Sequence, residues 1–158
     1  MPNLTKKDAQ FHTERTIDQL HRFGTAVSMD QRYQEAFPAR GVQFCEDFYQ
    51  GLDACDVVVA VGGDGTIIHA AKHAAMAEKP VLGINVGRLG FIAGLETHEL
   101  DKLQLLVEGN YQAEKRMMLD VSVKQKEGIR NFYALNDAVM ARGALSRIID
   151  WTVSFRGT

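Results

Sequence analysis

The sequence has few cysteines and no long hydrophobic run, and these scarcities exclude several classes of protein. Cys45 and Cys55 are the only cysteines in 158 residues, and no C-x-x-C pattern contains them. A disulfide-stabilised scaffold is therefore not expected. We expect two reduced thiols in a cytoplasmic protein. The longest apolar run, 57–61, is far shorter than the roughly 20 residues that span a bilayer. The polar segment 1–7 lacks the apolar core of a secretory signal.

The sequence also has no excess of charge of one sign. Lys and Arg total 18 and Asp and Glu total 20, which gives a net charge of −2. Because there is no dense block of basic residues, nucleic acids and anionic membranes are not expected as partners. Small molecules are the expected partners. The 46% hydrophobic and 24% charged residues are typical of a soluble globular protein. The length fits one domain, or one domain with part of a second.

The middle of the chain predicts a strand, a helix and a second strand. Two apolar runs, 57–61 and 80–85, flank a stretch with helical spacing, 67–77. The apolar stripe of that helix is predicted to contain Ile68, Ala71 and Ala75. Such a unit has a right-handed connection and places its first loop, 62–66, at the carboxyl edge of a parallel sheet, where α/β folds bind ligands.

The residues before this unit predict a helix, a short strand and an irregular stretch. Thr5 and Asp8 have the spacing of a helix-starting cap, and Gly24 is the left-handed residue at which a helix often ends. Residues 25–29 favour a strand, and 30–55 favour irregular structure with one short helix. The apolar face of that short helix is predicted to contain Phe44, Phe48 and Leu52.

Beyond the second strand, the apolar period changes from helical to alternating. Thr97 and Gly109 bound a predicted helix, whereas 119–124 and 149–155 alternate apolar and polar residues as half-buried strands do. A strand is missing before the first helix, and the late strands have no second layer, so both ends are expected to be incomplete.

The fold class predicted from these patterns is α/β, with a Rossmann-like parallel sheet followed by the beginning of a β-rich, sandwich-type domain. The α/β domain is assigned to residues 1–115 and the β-rich start to residues 116–158.

The loop at 62–66 has the composition of an anion site. Glycines allow the backbone to approach a ligand, and the helix that follows presents unpaired N–H groups to phosphate. A carboxylate, Asp64, is out of place in a site that only holds phosphate, so it suggests a general base or a metal-arranging role. The structural alternative is a tight turn in which Asp64 caps the helix.

Four motifs in order extend this pattern. They are GGDGT at 62–66, NVGRLGF at 85–91, RMML at 116–119 and ALND at 134–137. In this order and spacing they closely resemble NAD kinases, and the resemblance covers nearly the whole chain. It implies transfer of the γ-phosphoryl group of ATP, or of polyphosphate in some members, to the 2′-hydroxyl of the adenosine ribose of NAD, giving NADP, with Mg²⁺ on the nucleotide.

The resemblance also implies roles for individual residues. Asp64 would accept the proton of the 2′-hydroxyl, and Asn136 with Asp137 would recognise NAD. Backbone groups would lie against phosphate at Gly62, Gly63, Gly65 and Thr66. His69 and Arg147 fall where the family places an imidazole or basic residue near the dinucleotide. The structural alternatives are a turn at 136–137, and solvent-exposed positions for His69 and Arg147.

The histidine pair His69 and His73 has the i, i+4 spacing of a zinc site. No third ligand is evident and the H-E-x-x-H pattern is absent, so no metal site is predicted.

The chain departs from the family pattern at both ends. NAD kinases continue past residue 158 into a Gly- and Thr-rich segment that helps to bind the dinucleotide, so we expect little or no NADP formation by this chain. The first strand of the family would end about at residues 1–3, so Met1 would be an internal methionine of a longer frame. We expect a homo-oligomer at full length.

Two alternatives remain open from the sequence. Lipid kinases of the diacylglycerol and sphingosine type and phosphofructokinases have a similar Gly-Gly-Asp-Gly turn, which would change the acceptor. A non-catalytic nucleotide-binding fragment or subunit would complete its β-layer with another chain, through strand faces near Trp151 and Phe155.

Overall fold

The chain alternates helices with strands and then forms a hairpin. The computed structural model describes residues 1–38, 40–87, 90, 92–139 and 152–154. The helices are α1 (Ala9–Arg22), α2 (Phe48–Ala54), α3 (Asp64–Met76) and α4 (Leu103–Val107). The strands are β1 (Ser28–Asp30), β2 (Gln43–Cys45), β3 (Val58–Gly62), β4 (Val81–Asn85), β5 (Leu95–Glu96), β6 (Leu119–Gln125) and β7 (Gly128–Ala134).

A parallel sheet of β3, β4 and β5 forms the centre of the α/β part. β3 pairs with β4 from Val58 opposite Val81 to Gly62 opposite Asn85, and α3 connects the two strands. The predicted strand–helix–strand unit is therefore confirmed, and with it the α/β class with a Rossmann-like parallel sheet. On the other side of β3, Pro2 forms a parallel bridge with Val61.

The sheet is covered on both faces. On one face the buried residues of α1 and α4 pack with every second strand residue, including Val61 and Ile84. On the other face the buried residues of α2 and α3 pack against Val58 and Ala60. Because each strand is apolar on both sides, the alternation typical of a half-exposed strand is absent from 57–61.

The buried face of α3 differs from the predicted one. Its buried residues are Ile67, Ala70 and Ala74, whereas Ala75 is exposed and Ile68 and Ala71 are half-buried. The predicted stripe is wrong by one position because α3 is rich in alanine on several faces, so the sequence does not select one. The β4 residue Gly83 selects it, since a Cβ there would collide with the Ile67 side chain.

A second parallel sheet contains β1 and β2. The strand predicted at 25–29 is present but shorter, since β1 begins three residues later and ends one residue later, and Phe44 belongs to β2 rather than to a helix. α2 begins only after Asp47, whose carboxylate accepts hydrogen bonds from the backbone of Tyr49 and Gln50 at 2.9 and 3.2 Å. A side-chain cap stronger than the apolar spacing thus sets the start of the helix.

The helix ends were predicted better than the starts. Gly24 closes α1 with φ +76°, and Gly109 follows α4 with φ +71°, both in the left-handed region. The predicted caps are wrong, because Thr5 donates to Asn3 instead of capping α1 and Glu99 rather than Thr97 precedes the helical turn at Leu100–Lys102.

The antiparallel hairpin of β6 and β7 confirms the strand predicted at 119–124. Of the strand predicted at 149–155, residues 149–151 and 155 lie outside the described residues, and 152–154 are not in a strand. Trp151 and Phe155 are also outside them. The boundary at 115/116 and the sandwich-type second domain stay predictions. Within the described part of the chain, no helix is both long and apolar enough to cross a bilayer.

Candidate active site

The glycine-rich loop lies at the carboxyl edge of the central sheet, as predicted. β3 ends at Gly62 and α3 begins at Asp64, so only Gly63 separates the strand from the helix. Gly62 is paired with Asn85 at the end of β4, and its carbonyl accepts a hydrogen bond from the Val86 N–H at 2.8 Å. The loops after β3 and β4 therefore meet at one edge.

Two glycines of the loop have close neighbours, and the constraint is stronger at Gly62, because the neighbour of Gly63 is the end of a long, exposed lysine side chain. A Cβ on Gly62 would collide with the Thr66 side chain, which lies back over the end of the strand. A Cβ on Gly63 would lie 2.9 Å from the Lys6 ammonium nitrogen. The Thr66 hydroxyl in turn accepts a hydrogen bond from the Asn3 amide at 3.1 Å. The N-terminal segment is thus part of the wall around the loop.

The loop after β4 fixes the carboxylate of Asp64. Oδ1 of Asp64 accepts a hydrogen bond from the Ile92 N–H at 3.3 Å. A Cβ on Gly90 would collide with the same carboxylate. Gly90 belongs to the second motif, so the lack of a side chain at position 90 allows the second motif to pass close to the Asp64 carboxylate of the first. Asp64 itself is half-buried, and its position at the first turn of α3 suits a negative charge.

Asp64 and Asn136 line one cleft. It has a volume of about 580 Å³. Its walls are formed by Asp64, Ile68, Ile92, Glu114, Lys115, Arg116, Met117, Leu135 and Asn136. The walls combine the start of α3, the loop after β4, the segment before β6 and the end of β7. The structure thus brings the first and last of the motifs to one cleft, although they are far apart in the chain.

The remaining predicted site residues lie around this cleft or away from it. Gly65 and Thr66 continue the first turn of α3, and Asp137 is exposed immediately after Asn136. His69 is exposed on α3 and is absent from the walls of the cleft. Arg147 lies outside the described residues.

The two histidines of α3 belong to an aromatic cluster. The ring centroids of His69 and His73 are 4.8 Å apart, and Nδ1 of His73 lies 3.1 Å from the Tyr49 hydroxyl. Burial, followed by the charge of His69, lowers the pKa of His73. Within the ranges that the structure describes, no three His, Cys, Asp or Glu side chains are grouped as metal ligands.

Comparison with known proteins identifies the family. Residues 3–111 match the family model of the ATP-NAD kinase N-terminal domain. The chain belongs to the NAD kinase family. This match contains the first two motifs and the whole βαβ unit, while Asn136 lies beyond it.

Individual NAD kinases are similar over most of the chain. The NAD kinase of Acetivibrio thermocellus is 42% identical over 151 residues, which cover 94% of this chain and 52% of that protein. The NAD kinase of Acinetobacter baylyi is 35% identical over 142 residues, or 89% of this chain and 46% of that protein. The NAD kinase of Natranaerobius thermophilus is 44% identical over 100 residues, which cover 62% of this chain and 35% of that protein. The chain thus spans between a third and about half of the length of these curated relatives.

Sequence reasoning missed two groups of basic residues around the NAD kinase motifs. Lys115 and Arg116 line the cleft, and Lys6 lies against Gly63. Arg116 belongs to the RMML motif, so the sequence marked it as part of the family pattern, but the motif alone did not predict a role for its side chain. Lys6 gave none, because it is distant in sequence from the loop that it contacts.

Proposed function

We propose that the protein to which this chain belongs transfers the γ-phosphoryl group of ATP to the 2′-hydroxyl of the adenosine ribose of NAD. The observation that carries this proposal is the single cleft shared by Asp64 and Asn136. Membership of the NAD kinase family supports the proposal. The cleft also supports it, because phosphoryl transfer needs donor and acceptor to be bound side by side, and this cleft has a carboxylate from one motif and an amide from another.

Asp64 acts as the general base in this proposal. Its carboxylate accepts the proton of the 2′-hydroxyl while that oxygen forms a bond to the γ-phosphorus. The bond between the γ-phosphorus and the β–γ bridging oxygen breaks, and ADP leaves with both electrons of that bond. The Ile92 N–H and the close approach of Gly90 keep the carboxylate oriented, which matters because phosphoryl transfer depends mainly on positioning and charge.

The backbone of the loop binds phosphate in this proposal. The backbone of Gly62 and Gly63 precedes α3, and Gly65 and Thr66 belong to its first turn. The start of a helix favours phosphate through its N–H groups and its dipole, and the Thr66 N–H, which donates to the Gly63 carbonyl at 2.8 Å, helps to shape this turn.

The acceptor is recognised by Asn136 and Asp137. An amide beside a carboxylate accepts several hydrogen bonds from sugar hydroxyls or from an amide group. His69 and Arg147 are proposed to lie near the dinucleotide, as the resemblance implies.

Mg²⁺ would enter the site on the phosphates of the donor. Asp64 and Glu114 are the carboxylates of the cleft, and no third ligand is grouped with them among the described residues. These residues fit a cation that the nucleotide holds better than one held by the protein alone. The ion would neutralise charge on the transferred phosphoryl group.

Further properties of the whole protein are proposed with this activity. The α/β domain over residues 1–115 carries the loop, and the β-rich part from residue 116 completes the acceptor site. The protein is proposed to be cytoplasmic and to form a homo-oligomer at full length.

The test compares Asp64→Asn with Asp53→Asn. Asp64→Asn preserves shape but removes the base, so the rate of NADP formation is expected to fall about 100-fold or more. Asp53 is exposed on α2 and is absent from the cleft, so its variant loses the same charge without touching the site. A cycling assay that amplifies NADP measures the small turnover expected of this chain, and calorimetry measures NAD and ATP binding separately.

Each result has a distinct meaning for the proposal. NADP formation that Asp64→Asn leaves unchanged would contradict the role of Asp64. Binding of both nucleotides without any NADP would favour the non-catalytic alternative. A chain that binds neither nucleotide would contradict the proposed function.

A further inference from the structure

A lysine from the N-terminal segment lies on the glycine loop. The ammonium nitrogen of Lys6 is 2.9 Å from the position that a Cβ on Gly63 would occupy, and Cε of Lys6 is 3.5 Å from it. Gly63 immediately precedes Asp64 and α3. A positive charge therefore lies beside the residue where the strand turns into the helix.

A network of hydrogen bonds around Asn3 holds the turn that carries Lys6. The Asn3 N–H donates to the Val61 carbonyl at 3.0 Å, which attaches the turn to β3. The side chain of Asn3 accepts hydrogen bonds from the Thr5 N–H and hydroxyl at 3.2 and 2.7 Å. The Lys6 N–H donates to the Asn3 carbonyl at 3.2 Å. The backbone of Lys6 is thus tied to the strand that leads into the loop.

The same asparagine connects the turn to the loop itself. Its amide donates to the Thr66 hydroxyl at 3.1 Å, and Thr66 lies over Gly62. Asn3 therefore bonds both the side chain of Thr66 in α3 and the backbone N–H of Lys6 in the turn. Such support from surrounding hydrogen bonds is what orients a binding group before its ligand arrives.

The charge of Lys6 has no carboxylate partner in the described part of the chain. The ion pairs found there involve Arg32, Arg40, Lys102 and Arg116. Lys6 is solvent-exposed. An ammonium group that is exposed, positioned and not neutralised by the protein is suited to a negatively charged ligand.

We propose that Lys6 binds a phosphate oxygen of the phosphoryl donor. The inference rests on the proposed kinase function and adds a donor-binding residue from outside the four motifs. The ligand chemistry is a chain of phosphoanhydrides, which ATP and inorganic polyphosphate share. Lys6 contacts the polyphosphate chain and leaves recognition of NAD to the acceptor side of the cleft, so it acts on donor affinity alone.

The experiment measures binding of three probes to the chain by calorimetry: MgATP, inorganic tripolyphosphate and NAD. Lys6→Met removes the charge, and Lys7→Met removes the same charge from the adjacent exposed position. Lys6→Met is expected to weaken tripolyphosphate and MgATP binding about tenfold or more, because a hydrogen bond to a charged group is lost. Lys7→Met is expected to leave both unchanged, and Lys6→Arg to retain part of the affinity. NAD binding stays the same in all three variants.

The outcomes separate this inference from the function on which it rests. Equal binding of tripolyphosphate by the Lys6→Met and Lys7→Met variants overturns the role of Lys6, while NAD binding by the same proteins leaves the kinase proposal standing. Wild-type protein that binds NAD but neither phosphate probe also overturns it. A selective effect on MgATP without one on tripolyphosphate contradicts a contact with the phosphates. Circular dichroism verifies that each variant is folded.

Discussion

The glycines around the site have different physical reasons for being glycine. Some are explained by close neighbours in the fold, and one is better explained by the approach of a ligand. Gly62, Gly63 and Gly90 have neighbours that a Cβ would meet: the side chains of Thr66, Lys6 and Asp64. At Gly65 no atom of the described residues lies within 4 Å of that position, and the φ of Gly65 is not in the left-handed region. The fold therefore gives no reason for glycine at 65, whereas close approach of a ligand would.

Gly65→Ala is predicted to preserve stability and weaken donor binding. Alanine is a better helix residue than glycine, so the free energy of unfolding should stay unchanged or rise by up to about 1 kcal/mol. If phosphate approaches the backbone at this position, the added methyl group should weaken MgATP binding about tenfold or more, or roughly 1.4 kcal/mol. Thermal unfolding and calorimetry measure the two effects.

Two results would contradict the prediction for Gly65→Ala. Unchanged MgATP affinity with unchanged stability would mean that the ligand does not approach Gly65, and the phosphate role of this residue would be withdrawn. Loss of stability would mean that the first turn of α3 has less room than its surroundings indicate.

At the scale of elements, the contact between α3 and β4 sets the geometry of the active edge. Gly83 lies in β4 beneath Ile67, and a Cβ there would collide with the side chain of Ile67. Because α3 starts at Asp64, any shift of the helix on the sheet also moves the carboxylate. Packing within the βαβ unit and the position of the base are therefore coupled.

Gly83→Ala is predicted to destabilise the protein by about 1–3 kcal/mol, the usual cost of overpacking a core. Ile67→Val shortens the side chain at the point of collision, so the double variant should recover part of the loss. Urea unfolding of both single variants and of the double variant measures the coupling. Strictly additive effects would show that the two side chains do not compete for this space.

The hairpin of β6 and β7 has a different stability from the central sheet. All but one residue of each strand are exposed, whereas four of the five residues of β3 are buried. A two-stranded hairpin with little burial is marginal in water. Its amide hydrogens are predicted to exchange about tenfold or more faster than those of β3 and β4. Hydrogen–deuterium exchange with mass spectrometry measures this, and equal protection of both regions would contradict it.

At the scale of the whole molecule, stability depends on keeping two histidines neutral. Nδ1 of His12 is buried and has no hydrogen-bond partner among the described residues. Burial, and then the charge of Arg15, lowers the pKa of His12, against an opposing effect of Asp8. Burial also lowers the pKa of His73. In each case the folded state favours the uncharged form.

The melting temperature is predicted to fall as the pH is lowered from 7.5 to 5.5. The folded-state pKa of His12 lies below its unfolded value of about 6.5, so below pH 6.5 the unfolded chain binds more protons and gains stability relative to the fold. His12→Gln removes this contribution while that of His73 remains, so the melting temperature of the variant should depend less on pH. Circular dichroism across this range measures both proteins. An equal pH dependence would exclude His12 as a contributor.

The sequence by itself determined the elements whose signal is local. Two apolar β-branched runs around a glycine loop dictate the parallel strands β3 and β4, because such strands are stable only when both faces are covered. Gly24 and Gly109 set helix ends through their own φ angles. The chemistry available at Asp64 and Asn136 also followed from residue type and motif order, before any contact between them was known.

Only the tertiary structure decided which surfaces meet. The buried face of α3 depends on Gly83 in β4, the strand that follows the helix. The cleft joins Asp64 with Asn136, and the turn at Asn3 places Lys6 on Gly63. These arrangements bring together residues that are far apart in the chain, and no local periodicity encodes them because they depend on how complete elements pack.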